Sequence, residues 1–418
     1  MSSTEPEGTG SGRASSSAIF LITHSHYPHD IRTAKEAGAL VEAGFSVTVF
    51  CLRRPGEPRR EVSAGTDVRR LPIEHKRGSG LRYVTEYAGF FLLAGWEATR
   101  LALARRPFAV QVSNPPDFLI FATLFLKLLG ARVVLDMHEP VPELYASIRG
   151  VPLSNGRVRI LGWIEQLATR FADQVITVSE PCRRTFARRG TPAEKIAVVH
   201  NVCEARVFDP ARFATRGGED AALPETAGRP VFRLVTHSTL VPRYGVDLAV
   251  RAMGLLRDRI PEARLEIYGR GEARADLERL AGELGVGDRI VFGGYLDPSA
   301  LPERIARAHV GLVPQRKDLF MDLVLPTKLF EFVAMEKPVV ASRTAAVVEH
   351  YGSDELYLFD ADDAEGLAGA VAEIHARPDE ARERARRLRE RCSRATWECE
   401  KAVYVAIYEA IRERAART

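Results

Sequence analysis

The chain has 418 residues, of which 46% are hydrophobic and 27% are charged, a composition typical of folded globular proteins. This length exceeds what one ordinary core supports, so two domains of comparable size are expected. The formal charge of +4 is small and no dense Lys/Arg stripe is interleaved with aromatic residues. Nucleic acid is therefore disfavoured as the main partner, whereas acidic small molecules and anionic lipid surfaces stay open.

The chain begins with a polar, Gly/Ser-rich segment, residues 1–17, that lacks the apolar centre of a signal peptide. We expect a disordered tail there. The five cysteines form no CxxC pair and no zinc spacing, which is typical of thiols in a reducing compartment. They are Cys51, Cys182, Cys203, Cys392 and Cys399. Both observations predict a cytoplasmic protein.

Strand-like and helix-like segments alternate from Ala18 onward. Ala18–Thr23 is a continuous apolar run, as expected of a parallel strand buried on both faces. A helix is predicted over Ile31–Ala43 and a strand over Ser46–Cys51. Further strands are predicted at Ala109–Ser113, Arg132–Asp136, Gln174–Val178 and Ile196–His200. Repeated βα units of this kind indicate a parallel, doubly wound sheet.

Two strongly apolar stretches, Ala88–Trp96 and Phe118–Leu129, are shorter than the ~18 residues that a membrane span needs. The simpler interpretation is buried helices of an α/β domain. Alternatively, the first stretch lies on a membrane surface. In that case, nearby arginines face lipid head groups, namely Arg82, Arg100, Arg105 and Arg106.

The alternation lapses into a segment rich in Gly, Pro and charge, and then restarts. We therefore predict an N-terminal acceptor-side domain (18–212), a linker (213–230), a C-terminal domain (231–395) and a last helix (396–418) packing back on the first domain. C-terminal strands are predicted at Val231–Thr236, Arg264–Tyr268, Ile290–Gly293, Val310–Val313 and Pro338–Ser342. Helices are predicted at Val246–Asp258, Arg274–Leu284, Leu301–Ala306 and Pro378–Arg414, the last with an apolar stripe typical of core packing. Two α/β halves of this kind leave a cleft between the carboxyl ends of two sheets, where ligands bind.

The most informative segment is Leu325–Ser342, LPTKLFEFVAMEKPVVAS. Pro326 fits the first helical position, where a missing N–H costs nothing. The N–H groups of Thr327 and Lys328 then point out of the helix start, which favours phosphate, and the Lys328 ammonium adds a full charge. Glu331 lies one turn further on the same face and could accept hydrogen bonds from ribose hydroxyls. An exposed Lys328–Glu331 pair on a core helix fits the spacing equally well.

This segment resembles the donor-binding helix of the GT-B glycosyltransferases, in particular glycosyltransferase family 4. The resemblance runs from about Ile19 to about Ile411 and includes further segments in the family's order. These are VVLDMHE (Val133–Glu139), VVHNVCEARVF (Val198–Phe208), THSTLVPRYGVDLAVRAM (Thr236–Met253), RLEIYGRGE (Arg264–Glu272) and IVFGGYLDPSALPERIARAHVGLVP (Ile290–Pro314). Each segment is weak evidence alone, and together in order they are specific.

The resemblance implies two Rossmann-like, doubly wound domains that bind a nucleotide-sugar in the cleft between them. It implies that Glu331 holds the donor ribose, that Lys328 and its helix start hold the diphosphate, and that His138 lies beside the reacting sugar carbon. The other predicted donor-side residues are Ser238, Thr239, Gly269, Arg270, Leu325, Pro326 and Thr327. The nucleotide-sugar is a substrate, so no cofactor and no metal are expected.

The chain departs from the family's pattern at the sugar. The family commonly has a second glutamate eight positions before the ribose glutamate, contacting the transferred sugar. Here that position is Leu323, with Asp322 beside it.

A second departure concerns the diphosphate. The positions where the family commonly places Arg and Lys are here Thr239 and Tyr244, and Arg243 is adjacent. We expect Arg243 and Lys328 to supply the positive charge instead.

Four residues are predicted on the acceptor side: His24, His26, Asn114 and Glu139. The first two cluster with His29 after the first strand, and Asn114 begins an Asn-Pro-Pro-Asp turn after another strand. A metal at the histidines is disfavoured because no carboxylate or cysteine completes a usual ligand set.

Two short patterns imitate known motifs. Asp360-Ala361-Asp362 imitates the metal-binding Asp-x-Asp of the other glycosyltransferase fold, but we expect it to cap the helix that begins near Ala364. Gly269-Arg270-Gly271 is either an anion-binding turn or a tight connection, and lacks the third glycine of a dinucleotide fingerprint.

The resemblance suggests a retaining, metal-independent transfer of a sugar to a hydroxyl acceptor in glycan, cell-envelope or glycoconjugate biosynthesis. The acceptor is lipid-linked, a polysaccharide or a small molecule, with possible peripheral contact to the inner membrane face. A nucleotide-sugar 2-epimerase of the same fold is an alternative, although the cleft offers only Asp136, Glu139 and Glu143 as acid/base carboxylates. The second alternative is a non-catalytic scaffold that binds a nucleotide-sugar.

Overall fold

The computed structural model describes residues 17–73, 80–213 and 230–417. The predictions of a tail at residues 1–17 and of a linker at 213–230 therefore fall almost entirely outside the described residues. The side chain of Arg82 also lies outside them.

Within the described residues, eight strands form the first sheet, in the spatial order β3-β4-β2-β1-β5-β6-β7-β8. Their bounds are β1 Ala18–Thr23, β2 Ser46–Leu52, β3 Arg60–Ser63, β4 Thr66–Leu71, β5 Ala109–Ser113, β6 Arg132–Met137, β7 Gln174–Thr177 and β8 Ile196–Val198. All neighbours pair in parallel except β3 and β4, which form an antiparallel edge. The apolar run of β1 is buried along its whole length because helices cover both faces.

Six α-helices accompany this sheet in the described part of the chain: α1 Ile31–Glu42, α2 Gly80–Arg105, α3 Leu124–Leu128, α4 Val141–Arg149, α5 Gly156–Phe171 and α6 Glu180–Arg188. The first begins where the Asp30 side chain accepts a hydrogen bond from the Thr33 N–H, as an N-cap does. It ends before Gly44, whose positive φ of 84° turns the chain into β2.

The described residues 230–417 contain a second sheet of six parallel strands, in the order β11-β10-β9-β12-β13-β14. The strands are β9 Phe232–His237, β10 Ala263–Tyr268, β11 Ile290–Gly294, β12 Val310–Val313, β13 Val339–Ser342 and β14 Tyr357–Phe359. The helices are α7 Val246–Leu256, α8 Arg274–Glu283, α9 Leu301–Arg307, α10 Thr327–Ala334, α11 Ala345–His350, α12 Ala364–Ala376, α13 Pro378–Arg391 and α14 Trp397–Arg417. The predicted class of two doubly wound α/β halves is confirmed.

The predicted single helix over Pro378–Arg414 is wrong in one respect, because the chain breaks at 392–396 into α13 and α14. After the break, the Trp397 N–H donates to the Cys203 carbonyl, and α14 packs against α1 and β5 of the first sheet. Its predicted apolar stripe is core, since Tyr404 and Tyr408 are fully buried.

Two other predictions need correction. Asp363, and not the Asp360–Asp362 pair, caps α12, by accepting from the Gly366 N–H. Asp360 and Asp362 instead pair with Arg343 and Arg316. The sequence analysis also missed β3, β4 and β14. The strands β3 and β14 are too short to show a period, and β4, TDVRRL, has three charged residues among its six.

The two apolar stretches are only partly buried. Phe90 on α2 is fully buried, whereas Leu92, Trp96, Phe125 and Leu128 are exposed. Among the described residues, no helix is both long enough and apolar enough to cross a bilayer.

Because all the long strands of each sheet run parallel, their carboxyl ends share one edge, and the two edges meet. Contacts between them are direct. The Ser179 hydroxyl, at the start of α6, donates to the Leu323 carbonyl at 2.8 Å, and the Ser147 hydroxyl donates to Asp318.

Candidate active site

The start of α10 lies at the carboxyl end of β12. Pro326 is the N-cap and Thr327 the first helical residue, one position later than predicted. The N–H groups of Thr327 and Lys328 belong to the first turn and have no intrahelical acceptor. This end of the helix therefore offers donors and a positive partial charge to an anion.

The Lys328 side chain is the strongest indication of an anion-binding site. Lys328 is only 5% exposed, and its Nζ has no hydrogen-bond partner among the described residues. Burial lowers the pKa of Lys328 to about 8, and the nearby Glu331 acts in the opposite direction. A buried ammonium without a hydrogen bond is costly, so the site is built to receive negative charge. The alternative of an exposed Lys328–Glu331 pair is excluded by this burial.

The Tyr244 ring lies close to both cations of the site. The Lys328 Nζ is 5.4 Å from the centre of its ring, and the Arg243 guanidinium is 5.7 Å from it. Both distances are within the range of cation–π attraction. Tyr244 therefore holds together the two charges that the sequence assigned to the diphosphate.

Glu331 faces the carboxyl end of β9. Its Oε2 lies 2.9 Å from Nε2 of His237, the last residue of that strand. The sequence analysis missed His237, because the predicted strand stopped at Thr236. A polar residue at the carboxyl end of a parallel strand was the available signal.

A cavity of about 330 Å³ lies beside this pair. Four of the predicted donor-side residues line it: Ser238, Thr239, Gly269 and Arg270. The Arg270 guanidinium lies 5.5 Å from the centre of the Tyr295 ring, which the sequence analysis did not single out. A flat, cation-backed aromatic wall of this kind suits a planar base.

The Gly269-Arg270-Gly271 turn is a tight connection. Gly269 has φ of 144°, and a Cβ on it would lie 1.8 Å from the Ser238 carbonyl oxygen. Its N–H donates to the Gly294 carbonyl, so it is not available to an anion. The turn shapes the cavity by letting two backbones approach closely.

On the opposite edge, His138 follows β6. Its backbone N–H donates to Asn114 Oδ1 at 2.6 Å, and its ring Nε2 contacts the Asp136 carboxylate. Burial acts to lower the pKa of His138, but Asp136 outweighs it and the pKa is raised. The imidazolium form is therefore favoured beside the cleft.

Asn114 and Glu139 share this loop. Asn114 Nδ2 donates to Asp117 and to the Glu139 carbonyl, so the buried amide fixes the backbone around His138. Burial raises the pKa of Glu139, while His138 and Arg243 oppose the rise. Arg243 of the second domain is thus near enough to Glu139 to act on its charge.

The three N-terminal histidines do not converge. The ring of His24 packs against Tyr87 and Phe90 of α2, and its Nε2 lies 3.3 Å from Glu86. His29 lies at the surface beside Glu57, 3.8 Å away. His26 precedes α1, and its backbone carbonyl accepts from the Asp30 N–H. These contacts with α2 explain why the His24 ring is buried, and contact with a sugar acceptor is not needed to explain it.

Glu36, Asp136 and His138 lie close enough together to resemble a metal site. However, the Arg32 guanidinium contacts both carboxylates at 2.9 Å and already supplies the positive charge. A cation added among these groups would be repelled by the guanidinium.

Leu323, at the position of the family's second glutamate, has a packing role. Leu323 and Val324 pack against the apolar core of the first domain, and the Leu323 carbonyl accepts from Ser179. Asp322 caps α11 by accepting from the Ala345 N–H, and Asp318 accepts from the Phe320 and Met321 N–H groups. The carboxylates of Asp318 and Asp322 therefore stabilise the backbone around this loop.

Two family models match the chain. Residues 30–202 match the glycosyl transferase 4-like domain, and residues 231–377 match the glycosyl transferases group 1 domain. The first match holds the His138 loop, and the second holds α10 and the cavity.

Among curated proteins, a GDP-mannose-dependent alpha-(1-6)-phosphatidylinositol monomannoside mannosyltransferase of Mycolicibacterium smegmatis is 32% identical over 263 residues, covering 60% of this chain and 66% of the relative. The alignment thus spans about two thirds of that protein. An alpha-D-kanosaminyltransferase of Streptomyces kanamyceticus is 26% identical over 72% of this chain and 79% of its own length. The solved sucrose-phosphate synthase of Thermosynechococcus elongatus has the same fold, with a TM-score of 0.73 at 21% identity, over 94% of this chain and 98% of that one.

Proposed function

This chain belongs to the GT-B glycosyltransferases of the family 4 type, and on that premise we propose that it is a retaining enzyme with a membrane-associated hydroxyl acceptor. As a glycosyltransferase it transfers a sugar from a nucleotide-sugar. The matched relatives are named glycosyltransferases, which gives the 2-epimerase alternative no support.

The donor-binding part of the proposal rests on the Lys328 ammonium, which is buried and has no hydrogen-bond partner in the part of the chain that the structure describes. With Arg243 and the start of α10, it forms a cationic site for the donor diphosphate. As the bond from the sugar carbon to the diphosphate breaks, negative charge grows on the leaving oxygen, and these fixed charges stabilise it. In this proposal Lys328, Arg243 and the start of α10 stabilise the charge of the leaving diphosphate, and no metal ion is required for that role.

Glu331 binds the ribose in this proposal. Its carboxylate borders the 330 Å³ cavity through His237, so a base in the cavity brings its ribose to Glu331. His237, 2.9 Å from the carboxylate, then helps to orient it.

The acceptor hydroxyl attacks the sugar carbon from the face that the diphosphate leaves, and its proton passes to a diphosphate oxygen. His138 faces this point from the first domain, with its imidazolium form favoured by Asp136. Glu139, beside it and opposite Arg243, is the proposed contact for the acceptor. The configuration at the sugar carbon is retained by this course.

The acceptor is proposed to be lipid-linked because α2, α3 and α5 carry exposed apolar side chains, and all three helices contact the segment Asp117–Thr123 that leads into α3. Trp96 on α2 and Trp163 on α5 are 68% and 63% exposed. This apolar face comprises Leu92, Trp96, Leu103, Leu124, Phe125, Leu128, Leu129, Ile160 and Trp163. Exposed arginines on α2 and α5, such as Arg100 and Arg157, add charge complementary to anionic head groups. The enzyme would then work at the inner membrane face in cell-envelope or glycoconjugate biosynthesis.

The proposal is tested by incubating the protein with UDP-, GDP- and dTDP-sugars and lipid extracts, and by assigning the anomeric configuration of the product. We expect nucleoside diphosphate release that depends on acceptor, and a product with the donor's configuration. Inversion would reject the retaining course, and binding without turnover would favour a scaffold.

The matched variants are Lys328→Met and Lys337→Met. Both lysines are largely buried with pKa lowered to about 8, but the Lys337 Nζ donates to the Ala306 carbonyl at 2.6 Å. Lys328→Met should weaken nucleoside diphosphate binding roughly tenfold to a hundredfold, the value of a charged hydrogen bond. Lys337→Met should change stability and leave that affinity unchanged. Equal effects would contradict the assigned site.

A further inference from the structure

A chain of buried polar side chains runs behind His138. It begins at Asp136 on β6, passes through Arg32 and Glu36 on α1, and crosses β5 at Gln111. It ends at Tyr404 and Tyr408 on α14. Each of these six side chains is at most 5% exposed. The loop beside the cleft is thus connected to the C-terminal helix.

At the near end, Asp136 holds two partners. Its Oδ2 contacts His138 Nε2, and its Oδ1 accepts from Arg32 Nη2 at 2.9 Å. Arg32 also donates to the Val199 carbonyl at 3.3 Å. The guanidinium and the imidazole therefore fix the carboxylate from two sides, and the carboxylate fixes the ring.

At the far end, Glu36 links Arg32 to Gln111. Glu36 Oε1 lies 2.9 Å from Arg32 Nε, and Glu36 Oε2 accepts from Gln111 Nε2 at 2.8 Å. The Gln111 Oε1 accepts from the hydroxyls of both Tyr404 and Tyr408. Because both hydroxyls donate to Oε1, the Gln111 amide turns its NH2 group toward Glu36.

A network of this kind is not the cheapest way to fill a core. Buried charges lose hydration, and well-packed apolar residues of similar volume often serve stability equally well or better. A fully connected polar network specifies one geometry, however, because every alternative leaves a buried group without a partner. The geometry specified here is that of the His138 ring.

We propose that Asp136 is a positioning residue for His138, and that α14 completes the positioning through Tyr404, Tyr408 and Gln111. This rests on the proposed function, which places His138 beside the transferred sugar. The last helix of the chain then contributes to the active site without touching substrate.

The first test is Asp136→Asn, which keeps the shape and removes the charge. Glu165→Gln is the matched control, because Glu165 is also a buried carboxylate paired with an arginine, Arg189, in the same domain. We expect kcat to fall about tenfold to a hundredfold with donor KM nearly unchanged, as when an orienting partner of a functional histidine is lost. Glu165→Gln should alter thermal stability and leave kcat and donor KM unchanged.

The second readout is the pKa of the His138 ring, followed by NMR of 13C-labelled histidine and assigned with His138→Gln. The charged groups acting on the ring are Asp136, Arg32 and Glu36. Removing the Asp136 charge leaves burial and Arg32, which lower the pKa, and the smaller effect of Glu36, which raises it, so the ring should titrate at lower pH in Asp136→Asn. Unchanged titration together with unchanged kcat would overturn the proposal.

The double variant Tyr404→Phe/Tyr408→Phe removes only two hydroxyls and keeps both rings in the core, so it serves even if Asp136→Asn fails to fold. It should lower kcat and the His138 pKa in the same direction by smaller factors, whereas Tyr351→Phe, at a buried tyrosine of the second domain, should do neither. If the double variant had the wild-type kcat and the wild-type His138 pKa, α14 would have no part in positioning His138. The NMR titration needs no turnover, so a protein without transferase activity would reject the proposed function and still test the positioning.

Discussion

At the scale of single residues, the site depends on charges kept away from water. Lys328 is buried at the start of α10, and the Tyr244 ring lies close to both Lys328 and Arg243. The family commonly has a lysine where this chain has Tyr244. An aromatic ring there draws two neighbouring cations together instead of adding a third, which keeps the site cationic at a lower cost of repulsion.

The depressed pKa of Lys328 predicts how donor binding depends on pH. Below about pH 8 the free enzyme carries the ammonium, and above it the amine becomes neutral. A diphosphate attracts only the charged form, so affinity for a nucleoside diphosphate should fall as pH rises from 7 through 9. Calorimetric titration across this range measures it.

In Lys328→Met, the same titration should be flatter because the titrating group is gone. If the wild type and the variant lost affinity in parallel between pH 7 and 9, another group would be responsible for the pH dependence.

At the scale of elements, close backbone approaches shape the donor cavity. Gly245 has φ of 61°, and a Cβ on it would lie 1.8 Å from the Pro314 carbonyl oxygen, so the turn bearing Arg243 packs directly on the chain after β12. Gly269 packs in the same way on Ser238. Loops after three different strands are thus fixed against one another at the sheet edge.

Gly269→Ala should disturb both stability and donor binding. The added Cβ meets the Ser238 carbonyl and the residue must keep a φ that other residues rarely adopt, a strain of roughly 1–3 kcal/mol. We expect a lower melting temperature and a weaker affinity for nucleoside diphosphate, measured by thermal unfolding and calorimetry.

The control is Gly369→Ala in the middle of α12, where a Cβ would meet nothing within 4 Å. There the change should stabilise the protein by up to about 1 kcal/mol, because alanine favours helix over glycine. A Gly269→Ala protein as stable as Gly369→Ala would show that the turn can relax.

At the scale of the whole molecule, the two domains are tied together in several places beside the cleft. The Leu323 carbonyl is bound by Ser179, Arg184 makes a bidentate pair with Glu349, and α14 returns from the second domain to the first. The apolar face lies on the helices of the first domain.

The apolar face predicts binding to vesicles of phosphatidylglycerol and phosphatidylcholine. The triple variant Trp96→Ser/Phe125→Ser/Trp163→Ser should lose most of this binding, since each large apolar side chain contributes roughly 1.5–3 kcal/mol when removed from water. Cosedimentation with the vesicles measures it.

Leu255→Ser/Val348→Ser/Val403→Ser is the control, because these side chains are also exposed but lie outside the apolar face. It should bind as the wild type does. Equal loss in both triple variants, or no vesicle binding by the wild type, would rule out this face as a membrane contact.

The sequence by itself determined the fold class and most elements, because buried parallel strands and the helices between them leave strong local patterns, as in Ala18–Thr23. It also placed Lys328 and Glu331 at a helix start and His138 at a strand end, positions that face the carboxyl edge of a parallel sheet. Tertiary structure alone decided that Lys328 is buried and that His237 faces Glu331. It also decided that Leu323 packs into the other domain and that Tyr404 and Tyr408 reach Gln111. These contacts join residues up to 297 positions apart. A local sequence pattern cannot predict them, because it does not show which distant side chain will form a hydrogen bond with a given buried polar group.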